Sequence, residues 1–377
     1  MPSLLPDVDP EGLLEYSVVY TDRSVNHMSK RFQGAMREIS RILKKAYNAS
    51  SAIIVPGSGT FGMEAVARQF AGGRRCLVIR NGLFSFRWSQ ILEMGGIPSS
   101  ITVLKAKRTS DRHESPFAPV PVEEAAAAIK TGKIEVVFAP HVETSSGILL
   151  PDAYIKTLAE AVHSVGGLFV LDCVASGAVW IDMAALGVDI LVTAPQKGWS
   201  GPPCCAMVCL GTEARARIGA TQSSSFACDL KKWLEIMETY EAGKHAYHAT
   251  PPTDALIALS KVMAEMESFG FEKAKTAQQE LGRRVRDLIA RKGFPSVAAG
   301  GFEAPGVVVC YTKDPGIQSG KKFLDLGMQV ASGVPLKCDE PADFMTFRVG
   351  LFGLDKIGNI ERTVSTFEKT LDTVLKS

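Results

Sequence analysis

Between residues 29 and 47 the apolar side chains Phe32, Met36, Ile39, Leu43 and Tyr47 recur in steps of four and three. That spacing returns them to one face of a 3.6-residue turn and predicts an amphipathic helix of about five turns. The run Ala52-Ile53-Ile54-Val55 has no polar break and is too short for a helix, so it predicts a buried strand. Pro56-Gly57-Ser58-Gly59-Thr60-Phe61-Gly62 then turns the chain, and Met63, Val66, Ala67 and Phe70 mark a second helix that stops at Gly72-Gly73. The alternation continues with strands over 75–79 and 134–138, helices over 86–94 and 154–165, strands ending at Asp172 and near Thr193, and a buried strand over 205–210. Strands alternating with helices imply an α/β fold with a mainly parallel, doubly wound sheet covered on both faces. After Pro251-Pro252 the pattern changes. Leu256, Leu259 and Met263 share a helical face that runs into the charge-rich stretch 272–291, and a mixed α+β tail follows. The expected organisation is an N-terminal arm over 1–25, a large α/β domain over 26–265 and a smaller α+β domain over 266–377.

Composition narrows the field only a little. With 377 residues, 46% hydrophobic and 22% charged, the chain is long enough for two packed cores and ordinary for a globular protein. A net charge of +2 gives no electrostatic reason to expect nucleic acid or an anionic membrane as partner. No window approaches eighteen uninterrupted apolar residues, so no transmembrane helix is expected. The opening residues are acidic and prolyl, unlike a signal peptide, and Leu375-Lys376-Ser377 is not a peroxisomal tripeptide. Eight cysteines lie between Cys76 and Cys338 without a repeated CxxC, and read as small buried hydrophobes in a reducing cytoplasm. No metal site is expected: Cys204, Cys205 and Cys209 have no nearby histidine, and His245 and His248 lack a third ligand.

The chemistry gathers where strands end. Lys197 follows the apolar run that ends near Thr193, inside Ala194-Pro195-Gln196-Lys197-Gly198-Trp199. An ammonium at the end of a buried strand is costly unless it is paired or used, and strand ends are where open α/β sheets place their sites. Asp172, twenty-five residues earlier, ends the run Leu168-Phe169-Val170-Leu171. An amine and an acid placed in this way suggest pyridoxal phosphate, with the lysine as Schiff-base former and the aspartate holding the pyridine nitrogen protonated. Ser58-Gly59-Thr60, between a strand and a helix, can cradle a phosphate with its N–H groups and hydroxyls. The same three residues could be a simple helix cap. Asp172 could merely cap a turn, and Lys197 could be a surface loop lysine. Phe84 is either a core contact or a flat partner for a ring. Arg348, within the apolar run 344–352, calls for a carboxylate or an internal ion pair. Glu143 is read as a structural hydrogen-bonding group rather than an acid–base catalyst.

The motifs GSGTFGMEAV, RNGLFSFRW, HVETSSGILLP, LFVLDCVAS, TAPQKGWSGPP, YHATPP and FRVGLFG span about residues 27–350. Through them the chain resembles the fold-type I, class V aminotransferases, closest to the alanine–glyoxylate and serine–pyruvate/glyoxylate group. The resemblance implies a fold-type I PLP-transferase in which Lys197 carries the cofactor and shuttles the proton, and Asp172 pairs with its pyridinium. It further implies Val174 and Phe84 on the two faces of the ring, Ser58, Gly59, Thr60 and Gln196 on the phosphate, and Thr144 near the ring hydroxyl. Arg348 would hold the substrate carboxylate. Tyr247 and Thr250 would reach the cofactor of a second subunit, making a homodimer. The implied activity moves an amino group between an alanine- or serine-like amino acid and glyoxylate or pyruvate.

One segment departs from this pattern. Where the family carries a GPGPT-like run lining the substrate pocket, this chain reads Asp9-Pro10-Glu11-Gly12-Leu13-Leu14-Glu15-Tyr16-Ser17. Two other readings therefore stand beside the first. One is a PLP-dependent lyase, decarboxylase or cyclising enzyme on the same scaffold; the other is a nucleotide-binding module in which Lys197 only contacts phosphate.

Overall fold

The structure, a computed structural model, describes residues 13–376. The first twelve residues of the expected arm, with most of the divergent segment's beginning, lie outside them.

Helix α1 (Lys30–Tyr47) starts where Ser29 accepts the Phe32 N–H and ends at Asn48 in the left-handed conformation. All five apolar residues that define its period are buried. They pack on α6 (Leu230–Glu241) and α7 (Thr253–Phe269). The strands of the main sheet are β1 (Ser51–Pro56), β2 (Arg75–Arg80), β3 (Ser100–Lys105), β4 (Val136–Pro140), β5 (Leu168–Asp172), β6 (Ile190–Thr193) and β7 (Cys205–Leu210). They lie in the order β1-β7-β6-β5-β4-β2-β3. Pairing is parallel throughout except along β7, which runs antiparallel to both neighbours. Helices α2 (Gly59–Phe70), α3 (Leu83–Met94), α4 (Val122–Thr131) and α5 (Asp152–His163) make the crossovers. Strands β1, β2, β4, β5 and β6 all finish on one edge of the sheet, and the register Pro56↔Cys205 brings the start of β7 to that edge too.

The fold differs from expectation in detail. Strand β3 and helices α4 and α6 were not anticipated. β3 is a sheet edge without a fully buried residue, and α4 is alanine-rich and buries only Ala125 and Ile129, so neither has a strong apolar period. The single long helix expected after residue 252 is two. Gly270, with φ 98°, ends α7, and α8 (Phe271–Arg291) starts in a new direction. A three-stranded antiparallel sheet follows, in the order β8 (Val307–Tyr311), β10 (Thr346–Gly350), β9 (Ala331–Ser332), with α9 (Ile360–Val374) packed on α8. We propose the division between a large and a small unit near residue 265, just before this break.

All eight cysteines are free, and only Cys204 is not fully buried. No helix of the described residues is long and apolar enough to cross a membrane.

Candidate active site

The strand ends on the shared edge enclose a cavity of ≈ 190 Å³, whose walls include Ser58, Gly59, Thr60, Phe84, Thr144, Asp172, Val174, Gln196 and Lys197. Nine of the residues singled out in the sequence, far apart along the chain, therefore meet in one place.

Lys197 sits in a tight turn after β6, in which Ser200 N–H donates to the Lys197 carbonyl and Gly201 N–H to that of Pro195. Glycine is required next to it: a Cβ on Gly198 would stand 2.1 Å from the Gly177 carbonyl oxygen. The lysine turn and the turn after Asp172 thus touch backbone to backbone, which holds the two side chains at a set separation. Burial pushes the Lys197 amine below its ordinary pKa; Asp172 and Glu143 oppose this, while Arg348 and Arg87 add to it.

Asp172, at the end of β5, accepts hydrogen bonds from the Val174 N–H (3.0 Å) and the Trp88 indole (3.2 Å). Burial raises its pKa to about 6 in spite of these bonds. Val174, held by that bond, lies against the start of α2, where a Cβ on Gly59 would come within 2.9 Å of its side chain. A floor beside the acid and a cup at the helix start are therefore continuous. Ser58 is the N-cap residue of α2, yet its hydroxyl makes no capping bond. The first N–H groups of a helix lack intrahelical partners, so this end keeps donors for an anion.

Phe84 belongs to the first turn of α3. Three cations surround its ring, with Lys197 Nζ at 5.7 Å and the guanidinium carbons of Arg87 and Arg348 each at 5.6 Å. Glu143, fully buried, fixes this helix start. It accepts the Phe84 and Ser85 N–H groups (3.3 and 2.8 Å), the Ser85 hydroxyl (2.8 Å), and the Ser145 N–H and hydroxyl (3.0 and 2.7 Å). Gly82 lets the strand-to-helix turn close on it, since a Cβ there would sit 2.0 Å from Ser145 Oγ.

Arg348 comes from β10 of the smaller sheet, in register with Val309 and Ala331. It donates to the Ser332 carbonyl (2.8 Å) and reaches the Thr144 carbonyl (3.5 Å). Burial lowers its pKa, and no carboxylate contacts it directly among the described residues. Tyr247 and Thr250 are outside the cavity: Tyr247 is 52% exposed, and its hydroxyl bonds that of Thr250 at 2.9 Å.

Sequence reasoning passed over Arg87, Trp88 and Phe352, and did not foresee how fully Glu143 is engaged. Phe352 stands 5.8 Å from Lys197 Nζ. The signal for two of these was the helical spacing: Arg87 and Trp88 follow Phe84 by three and four positions, one turn further along α3.

The model of the family described as aminotransferase class-V matches residues 11–343. The chain belongs to this family. A Saccharomyces cerevisiae protein named alanine–glyoxylate aminotransferase 1 is 26% identical over 316 residues, 78% of each chain. A Syntrophobacter fumaroxidans 2-aminoethylphosphonate–pyruvate transaminase is 28% identical over 322 residues, 84% of this chain and 82% of its own. Among solved structures, an alanine–glyoxylate aminotransferase from Nostoc sp. superposes with a TM-score of 0.79 at 21% identity, covering 93% of this chain and 89% of its own. The fold is that of the fold-type I PLP enzymes, and the class-V aminotransferase is a PLP-dependent transaminase. The uncapped helix start, the buried acid at the strand end and the amine facing it fit that cofactor. Once bound, it supplies an electron sink for bonds at a substrate Cα.

Proposed function

We propose that this aminotransferase moves an amino group from a small amino acid of the alanine or serine kind to glyoxylate or pyruvate. The observation that carries the reading is the convergence of Lys197 and Arg348 on Phe84, with Asp172 lining the same cavity as Lys197. An amine whose charge is disfavoured by burial can take and return a proton at a substrate carbon. A guanidinium without a carboxylate of its own can grip the α-carboxylate with its fork. Lys197 holds the cofactor covalently and carries that proton, and Asp172 keeps the ring nitrogen protonated. Phe84 and Val174 cover the two faces, Thr144 lies by the ring hydroxyl, and Ser58, Gly59, Thr60 and Gln196 take the phosphate. The exposed pair Tyr247 and Thr250 serves the cavity of a second copy, so the working unit is a homodimer. Reduced cysteines suit the cytoplasm.

The similar proteins support the acceptor better than the donor. Relatives named as transaminases put alanine, aspartate or 2-aminoethylphosphonate on one side and glyoxylate or pyruvate on the other, although two further relatives are named as soluble hydrogenase subunits. The test is a screen in which the enzyme meets each amino acid alone and then with glyoxylate or pyruvate. Alanine or serine should yield its 2-oxo acid in step with amination of the acceptor, and borohydride should fix the cofactor's mass on Lys197. A Lys197→Ala protein with undiminished turnover would overturn the assignment. Turnover without an acceptor would instead favour lyase chemistry.

A further inference from the structure

We infer that Arg87 is a phosphate-binding residue of this site, a role that rests on the PLP reading above. None of Ser58, Gly59, Thr60 and Gln196 carries a charge, whereas a phosphate ester brings about −1.5 to −2 at pH 7. A helix N-terminus offsets only about half a charge. Of the three cations around Phe84, Lys197 is committed to the chemistry, and Arg348, on β10 of the smaller sheet, is tied to Thr144 and Ser332. Arg87 lines the cavity, and its Nη1 donates to the Thr60 hydroxyl at 2.9 Å. The guanidinium therefore sits at the uncapped start of α2.

Two further facts favour a bound anion. Among the described residues Arg87 forms no ion pair, whereas Arg68 on the neighbouring helix α2 pairs with Glu64 at 2.7 Å. A guanidinium has five N–H donors, and among the described residues Arg87 spends one on protein, the bond to Thr60. Its plane is also held: the charge lies over the Phe84 ring, one helical turn away on the same rigid helix. A single helix thus positions both the aromatic face and the cation, so that ring and phosphate are located together.

The test uses holoenzyme loaded either with PLP or with pyridoxal, which lacks the phosphate. Each is diluted, and the free cofactor is measured to obtain a dissociation constant. A charge-assisted contact of this kind is worth about a ten- to hundredfold change in affinity. Arg87→Gln should weaken PLP by that factor and leave pyridoxal within about twofold, with Arg87→Lys, which keeps the charge, falling between. Unchanged PLP retention, or equal loss of both forms, would overturn the assignment in favour of simple packing on Phe84. So would a defect confined to the KM of a dicarboxylic donor, which would place a substrate's second carboxylate on Arg87. If Arg87→Gln does not fold, Arg87→Lys decides by the same comparison. Wild-type protein that prefers PLP no more than pyridoxal would mean that the reading of the cavity itself has failed.

Discussion

Replacing Glu143 with glutamine changes one atom in the core and leaves its shape intact, so the cost follows from hydrogen bonding alone. The carboxylate accepts five contacts, three on Oε1 and two on Oε2. A glutamine must present an amide nitrogen in place of one oxygen. The gentler choice puts it at Oε2, where it can donate to the Ser85 hydroxyl but faces the Ser85 N–H, 2.8 Å away in the parent. One buried backbone donor is then unpaired, at about 1–3 kcal/mol. Loss of the negative charge at the start of α3 adds about 0.3–1 kcal/mol. Glu143→Gln should therefore lower stability by about 2–4 kcal/mol, measured as a shift in the urea midpoint at constant m. The site should respond as well. Glu143 raises the pKa of Lys197, Asp172 and Arg348, so its removal should move the Lys197 titration further down. The acid limb of the activity profile should move in the same direction. A stability change below about 0.5 kcal/mol, with an unmoved pH profile, would refute the view that this side chain anchors the helix.

Asp172→Asn should abolish transamination, and in the cofactor-free protein it should trade a pH-independent cost of about 1–3 kcal/mol, since its amide nitrogen faces the N–H of Val174 or Trp88, against relief of a buried charge. The folded pKa of about 6 lies above the carboxyl's ordinary 3.8, so ionisation costs the fold up to about 3 kcal/mol. The sign is that of a raised acid: the penalty is absent below pH 4, grows through pH 6 and is complete above it, so by denaturation midpoint the variant should be the less stable protein in acid and gain on the parent by up to about 3 kcal/mol as the pH rises from 4 to 7. Gly198→Ala should be among the most damaging small changes, because its Cβ meets the Gly177 carbonyl at 2.1 Å and backbone must move. Expect a loss of about 2–4 kcal/mol and poor borohydride trapping on Lys197; wild-type trapping would show that the two turns are not rigidly coupled.

The sequence carried the site's outline further than its edges. Lys197, Asp172 and Ser58 to Thr60 were legible because each ends a strongly apolar run, and buried strands leave a plain period in the chain. β3 and α4 were not, because a half-exposed edge strand and an alanine-rich helix have almost no contrast between faces. Arg87 was missed for a different reason. Its importance depends on α2 and α3 starting beside each other, and contact between two helix starts leaves no trace in either helix's own period. Glu143 was read correctly as structural, but the donors that make it so come from residues 84–85 and 145, and only folding brings the first pair to it. The break at Gly270 falls within one continuous charged pattern, so a single long helix was the natural expectation.

Charge in the cavity points to what it is built to receive. Lys197, Arg87 and Arg348 ring one aromatic side chain, while the acids among them are Asp172 and Glu143. Glu143 is saturated by the donors of its helix start, and Asp172 is engaged by Val174 and Trp88. Neither is hydrogen-bonded to Arg87 or Arg348, so among the described residues no carboxylate pairs with either guanidinium. Half-buried cations gathered in this way are best satisfied where anions arrive to pair with them. A phosphate beside Arg87 and an α-carboxylate on Arg348 would meet that demand. A substrate without a carboxylate would leave Arg348 desolvated and unpaired. Simple amines should accordingly be rejected far more strongly than amino acids that differ only in side-chain size, because a missing anion costs more than a missing methylene.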